Sequence, residues 1–172
     1  MSRIYAEKGV REFAAAAGIL KAENPALDFQ VLGAFDRSPN SLTPGEVEGW
    51  EKSGLLRYLG HTSDVRPFLD ACSALVLPSY YREGLPNCLI EAMLTGRPVV
   101  TTDWPGCRDA VQHGVNGLLV PPRDVPALAA AMRVLSAEPS PILAMGQAGR
   151  AIAEARFSTA TVTARMLEAM EF

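Results

Sequence analysis

The 172-residue chain has no apolar run approaching the ~18–20 residues that a membrane span needs, and its amino terminus carries no apolar signal segment. Both absences predict a soluble, cytoplasmic polypeptide. Cysteine is scarce: Cys72, Cys88 and Cys107 form an odd set without metal-ligand spacing. Each falls in or beside an expected element, so they read as reduced structural thiols rather than a disulfide framework. There are two histidines, no Asp-x-Asp and no histidine cluster, so no metal site is expected. The 16 Lys and Arg are scattered among 19 Asp and Glu, for a net charge of −3, which leaves no basic patch for nucleic acid. Internal repeats and low-complexity tracts are also missing.

What the chain does have is apolar residues in two alternating periods. They make up 48% of the sequence, enough for one domain with a core of its own. Residues 8–23 read as a helix with Val10, Phe13, Ala14, Ala17 and Leu20 on one face, ended by Asn24-Pro25. Strands are expected at 28–34, 55–59, 74–77, 98–102 and 117–120. Helices are expected at 44–52, 65–72, 108–113, 125–137, 147–156 and 159–170. The polar stretch 35–44, with its Asp, Ser, Pro and Asn, reads as a loop. Strands alternating with helices predict an α/β fold, a doubly wound parallel sheet with right-handed crossovers. The domain is expected over 1–157, with a carboxy-terminal helix over 158–172.

The segment 78–96, PSYYREGLPNCLIEAMLTG, is the most informative. It places Glu83 in a loop bearing Gly84 and Pro86, and Glu91 seven intervening residues later on a helix. Pro86 suits the first helical position, where its missing N–H costs nothing. Glu91 then shares a face with Asn87 and Thr95, while Leu89, Ile90, Met93 and Leu94 form the buried stripe. The short apolar run Ala74-Leu75-Val76-Leu77 precedes the loop. Such a strand–loop–helix with two acids lies where open α/β sheets bind ligands, beyond the carboxyl ends of their strands.

These residues resemble the carboxy-terminal, donor-binding domain of retaining glycosyltransferases of family 4, the group 1 enzymes of GT-B fold, whose hallmark is two glutamates separated by seven residues. The resemblance covers nearly the whole chain. It includes Ser2-Arg3-Ile4 with Glu7-Lys8-Gly9, and Tyr58-Leu59-Gly60-His61 with Asp64-Val65. It continues through Gly96-Arg97-Pro98-Val99-Val100, Pro105-Gly106-Cys107-Arg108-Asp109 and the run from Gly114 to Val120. Asp109 stands where many relatives carry Glu, and Pro105-Gly106 replaces a Gly-Gly pair.

The resemblance implies a nucleotide-sugar as donor and a role for each matched residue. Arg3 and Lys8 hold the donor diphosphate and stabilise charge on the leaving group. Glu83 lies beside the transferred sugar, and Glu91 accepts hydrogen bonds from the ribose hydroxyls. Gly84 and Leu85 offer backbone N–H groups to the diphosphate at the start of the helix. His61 lies near the nucleobase, either stacked on it or capping the following helix. Tyr80 and Tyr81 either flank the sugar or cap the strand, whereas His113 and Cys107 read as structural. The implied reaction retains anomeric configuration by front-face substitution without cofactor or metal, Lys8, Arg3 and the helix terminus standing in for a cation.

Measured against the family, the first strand is expected to be missing, because Arg3 stands just after it. The amino-terminal acceptor domain is missing too. The chain therefore reads as a truncated frame, one product of a split enzyme or an excised piece, and as inactive alone. The acceptor, a glycan or lipid-linked sugar in polysaccharide or lipopolysaccharide synthesis, would be met through that other domain. The whole enzyme would lie at the inner face of the membrane, peripherally associated. A non-catalytic nucleotide-sugar module, a relic and a sugar-nucleotide epimerase are the alternatives.

Overall fold

A computed structural model describes residues 3–82, 84–137, 139–158, 161, 163 and 168. After one turn of 3-10 helix, Ala6–Lys8, come α1 (Val10–Glu23), β1 (Gln30–Val31), α2 (Pro44–Lys52), β2 (Arg57–Tyr58), α3 (Arg66–Ala71), β3 (Leu75–Leu77) and α4 (Asn87–Leu94). They are followed by β4 (Val99–Thr102), α5 (Cys107–Ala110), β5 (Gly117–Val120), α6 (Val125–Ala137) and α7 (Pro139–Phe157). All the ladders are parallel, as the alternation of strands and helices predicts.

Among the described residues, the strands form two sheets rather than one. β1 pairs with β2, and β3, β4 and β5 pair in that order. Between β1 and β3 the place of a central strand is marked by a single parallel bridge, Arg3 to Ala34, closed by the Ile4 N–H donating to the Ala34 carbonyl at 2.9 Å. The described strands thus leave a break between β1 and β3. β1 and β2 span two residues each, against the seven and five read from the sequence.

Side chains of the three-stranded sheet alternate between two cores, following the strand period of two. Val76, Val100, Leu118 and Val120 face α1 and α6, where Leu20, Leu128, Met132 and Leu135 bury them. Leu75, Leu77, Val99 and Leu119 face the other layer, with Leu69 of α3, Leu89 and Met93 of α4, and Ala153 of α7. A third cluster, Ile4, Leu42, Val47 and Leu56, holds the β1–β2 side together, and Phe13 of α1 touches both it and the first core.

Three further element bounds differ from the sequence reading. Pro86 is the N-cap of α4 in extended conformation, one residue before the helix instead of its first residue. α5 stops at Ala110 instead of running to 113. The Asn116 carboxamide accepts the Gln112 N–H at 2.7 Å, and His113 bridges Gly117 while its Nδ1 accepts the Leu119 N–H at 3.0 Å, so the chain is drawn out straight. α7 begins at Pro139 instead of 147, since proline is tolerated in a first turn. Gly146 within it passes so close to α4's end that a Cβ would lie 2.0 Å from the Gly96 carbonyl oxygen. Of the expected 159–170 helix, Thr161, Thr163 and Glu168 are helical, and the rest lies outside the described residues.

Candidate active site

The site begins with the short turn that carries Lys8. Gly9 follows it at φ 78°, a left-handed conformation that glycine adopts freely, and a Cβ there would lie 2.2 Å from the Pro78 carbonyl oxygen. Only glycine lets this turn press against the end of β3. Hydrogen bonds fasten the contact: the Tyr80 N–H donates to the Glu7 carbonyl at 2.9 Å, and so does the Ser79 hydroxyl at 3.4 Å. From behind, Thr101 Oγ1 donates to the Leu77 carbonyl at 2.6 Å, and Thr102 Oγ1 donates to the Ser79 carbonyl. Ser79, Thr101 and Thr102 are fully buried. The polar groups of a β-strand end are thereby satisfied internally, and the two loops are locked edge to edge.

A cavity of about 930 Å3 opens here, with Arg3, Lys8 and Glu91 in its wall. Three residues separated by up to 88 positions therefore line one cavity, at the place where the strand order breaks. Glu91 is half-buried in the second turn of α4. The Lys8 ammonium sits 5.4 Å from the centre of the Tyr81 ring, and the Arg3 guanidinium 4.8 Å from that of Tyr5. The two rings lie 6.1 Å apart. Both cations thus rest on one aromatic pair, an arrangement worth about 0.5–1 kcal/mol per exposed contact.

Tyr5 and Asp36 were not singled out by the sequence, yet they organise Arg3. The Tyr5 hydroxyl donates to Asp36 Oδ2 at 2.5 Å, and Arg3 approaches the same oxygen at 3.5 Å. Asp36 Oδ1 accepts the Ser38 N–H at 2.8 Å in an Asx turn. The Tyr5 hydrogen bond is the main cause that holds the Asp36 carboxyl below the usual range, and the same bond pushes the Tyr5 phenol up. Asp-x-Ser was a local signal for a turn, but nothing local could announce its partner 31 residues upstream.

The remaining expected site residues are placed differently. Gly84 is exposed and Leu85 packs on the α4 core; neither lines the cavity. Among the described residues, no side-chain hydrogen bond from the N-cap closes the amino end of α4, and the Leu89 N–H donates to the Pro86 carbonyl at 3.0 Å. His61 is exposed in the loop after β2 and lies off the cavity. It does not cap α3: Asp64 does that work, accepting the Arg66 N–H at 3.1 Å. Tyr81 belongs with the site, whereas Tyr80 turns aside to the Arg123 guanidinium, 4.3 Å from its ring centre. Cys88 lines the cavity, and Cys107 is buried. Glu83 lies outside the described residues.

Residues 1–138 match the profile of a family described as glycosyl transferases group 1. An N,N'-diacetylbacillosaminyl-diphospho-undecaprenol α-1,3-N-acetylgalactosaminyltransferase of Campylobacter jejuni is 34% identical over 118 residues, 69% of this chain and 29% of that enzyme. Among solved structures, Anabaena Alr3699/HepE in complex with UDP superposes with a TM-score of 0.85 at 25% identity, over 99% of this chain and 47% of that one. The C-terminal domain of a group 1 glycosyl transferase (LpcC) from Francisella tularensis shares the fold, with a TM-score of 0.77 at 21% identity over 92% of this chain and 84% of that one. The chain thus spans under half the length of the Campylobacter and Anabaena proteins, and its fold is the Rossmann-like C-terminal half of a GT-B architecture.

Proposed function

We propose that this chain, which belongs to the group 1 glycosyltransferases, is the donor-binding half of a retaining enzyme that moves a sugar from a nucleotide-sugar to an acceptor. The observation that supports the reading is that Arg3, Lys8 and Glu91 line one cavity. The two cations meet the diphosphate and offset the charge that grows on it as the glycosidic bond breaks. The amino end of α4, with Gly84 and Leu85, offers N–H groups to the same anion. Glu91 accepts hydrogen bonds from the ribose hydroxyls, and the family resemblance assigns the transferred sugar to Glu83 and the base to His61. Fixed cations and a helix terminus take the place of a divalent ion, so EDTA leaves binding unchanged. In the front-face route, the departing phosphate oxygen takes the acceptor's proton and no covalent sugar–protein bond forms.

The acceptor is a glycan or lipid-linked sugar, in keeping with the lipid diphosphate in the Campylobacter relative's name. It is held by a separate acceptor domain, and the whole enzyme works at the inner face of the membrane in polysaccharide or lipopolysaccharide assembly. The 172-residue chain alone performs little or no transfer. As a bound module without turnover, it would still hold the donor, which makes binding the decisive experiment. Calorimetry with UDP, GDP and ADP, with and without EDTA, is expected to show one nucleotide binding to the parent chain. Loss of a charge-assisted hydrogen bond in Glu91→Ala should weaken it about tenfold or more. Equal affinity of parent and Glu91→Ala, or binding only with added metal, would overturn the assignment.

A further inference from the structure

The loop after β3 carries Ser79, Tyr80 and Tyr81, and the loop after β5 carries Arg123. They meet where the Arg123 guanidinium lies over the Tyr80 ring, 4.3 Å from its centre. Neither residue lines the cavity that Arg3, Lys8 and Glu91 share.

Arg123 has a φ of 62°, the one positive value among the described residues that does not belong to a glycine. A side chain disfavours this conformation, which persists only where the surroundings hold it. On its carboxyl side Arg123 is tied through Asp124, whose carboxylate accepts the Ala127 N–H at 2.9 Å and whose carbonyl accepts the Leu128 N–H at 3.0 Å. Its side chain is held by Tyr80 and by charge. Burial is the first cause that pushes the Tyr80 phenol up and the charge of Glu12 the second, while the charge of Arg123 opposes them. Glu12 stands in the first turn of α1, and its Oε2 is buried without a hydrogen-bond partner. The guanidinium therefore finds a ring and an acid together.

The strap that Arg123 grips also carries the ring under Lys8. Main-chain carbonyls and N–H groups hold Ser79 and Tyr80 to Glu7, and Ser79 Oγ accepts the Tyr81 N–H at 3.2 Å. These bonds fix where the strap passes and leave its roll to the side chains. Tyr80 goes to Arg123, whereas the next residue, Tyr81, goes to the Lys8 ammonium at 5.4 Å and to the Tyr5 ring at 6.1 Å. A roll that freed Tyr80 would carry Tyr81 with it.

We infer that Arg123 is a positioning residue for Lys8: by gripping Tyr80 it stops the strap from rolling and keeps the Tyr81 ring against the ammonium. The inference deepens the donor reading, and rests on it for the consequence that Lys8 is held toward a diphosphate. The placement of Lys8 itself is measurable without any nucleotide.

The test labels the full chain with 13C-lysine. Its three lysines, Lys8, Lys21 and Lys52, give three ε-methylene signals by NMR, and Lys8→Arg assigns one of them. Protons above an aromatic ring shift upfield, so the Lys8 signal is expected upfield of that of Lys52, which is 80% exposed beside Glu48. Glycine takes a positive φ freely, so Arg123→Gly keeps the backbone and removes the grip. The relieved backbone and the lost contact offset one another, and Tm is expected to stay within about 2 °C. The Lys8 signal is nevertheless expected to lose about half of its displacement. Tyr80→Leu should have the same effect, and the double variant should add nothing to it. Arg123→Lys keeps a cation over the ring and should restore the signal.

An unmoved Lys8 signal in both Arg123→Gly and Tyr80→Leu would overturn the inference. A displacement that Arg123→Lys fails to restore, or that is lost only together with the cooperative melt, would overturn it as well, since either marks a merely structural role. Calorimetry with UDP, GDP and ADP reads the consequence. The nucleotide that the parent chain holds is expected to bind Arg123→Gly about threefold more weakly. Equal affinity beside a moved signal would overturn the inference and leave the donor reading standing. A signal that moves in a chain whose parent binds none of the three supports the placement of Lys8 and sinks the donor reading instead.

Discussion

The two sides of this domain are built by the same rules and differ in one respect, the continuity of the sheet. On one side, β3, β4 and β5 pair without interruption, and β4 is buried at all four residues. Leu89, Met93, Val99 and Val100 have no exposed surface. On the other, β1 and β2 form a two-residue ladder held by Ile4, Leu42, Val47 and Leu56. Isolated two-stranded ladders are marginal in water, so this side owes its order to α1, whose Phe13 reaches into both cores. The comparison teaches that the site is divided between a rigid and a compliant region. Glu91 rises from the rigid side, while Arg3 depends on the compliant one through its bridge to Ala34.

The largest expected effect breaks the comparison most directly. Leu89→Ala removes a fully buried side chain from the continuous half and should cost about 2–5 kcal/mol in urea unfolding. Leu42→Ala removes one of similar burial from the interrupted half. There, hydrogen exchange should show faster opening of β1 and β2 at a smaller change in the global transition, as for a sub-global unit. Equal global losses for the two variants would show that the halves unfold as one and that the sheet break has no energetic meaning.

Gly9→Ala comes next, because it strikes the joint between the halves. The substitution meets both a left-handed φ of 78° and a Cβ 2.2 Å from the Pro78 carbonyl oxygen. Left-handed backbone alone costs an alanine about 1 kcal/mol, and the clash adds to it. A stability loss of about 2 kcal/mol or more is expected, together with weaker nucleotide binding under the proposed function as Lys8 is displaced. An unchanged melt would mean that the turn does not press on β3.

How much of this was legible in the sequence follows from the range of each signal. α2, β5 and α6 appear within a residue of where hydrophobic period and capping residues set them, Thr43 accepting the Glu46 N–H as the N-cap of α2. Glu91 on the polar side of α4, and Lys8 beside a glycine, were readable from spacing and from the family resemblance. What stayed hidden was decided by partners far along the chain. The Asn116 and His113 side chains that end α5 act from the following loop. The Tyr5–Asp36 pair spans 31 residues, and no periodicity encodes it. The extent of β1 and β2 was overread because apolar patterning marks what is able to be a strand, while ladder length depends on a neighbour.

A smaller effect sharpens the compliant side. Asp36 has a folded pKa below its unfolded value, caused first by the Tyr5 hydroxyl and then by the Ser38 N–H. Its contribution is therefore complete above the unfolded value of about 3.9 and is lost as pH falls through the folded one. Tyr5→Phe removes the leading cause. The stability difference between parent and Tyr5→Phe is expected to be present at neutral pH and to vanish in strong acid, by urea titration at a series of pH values. A difference that persists unchanged into strong acid would assign the effect of Tyr5 to packing alone.

The smallest expected effect tests what joins α1 to the continuous half. Arg133 of α6 makes two hydrogen bonds to Glu23 at the end of α1, at 2.6 and 2.7 Å, and they hold the Glu23 carboxyl below its usual range. The geometry is bidentate, but both side chains are nearly half exposed, at 46% and 47%. Solvent screening and the entropy of fixing two long side chains leave such an exposed pair little net stabilisation. The apolar contact between α1 and α6, through Ala16, Leu20 and Leu128, lies beneath the pair and is independent of it. Arg133→Ala should therefore lower Tm by a degree or two at most, an effect that added salt erases in the parent. A larger loss would mean that α1, and with it the whole β1–β2 side, is held to the molecule by charge rather than by the core.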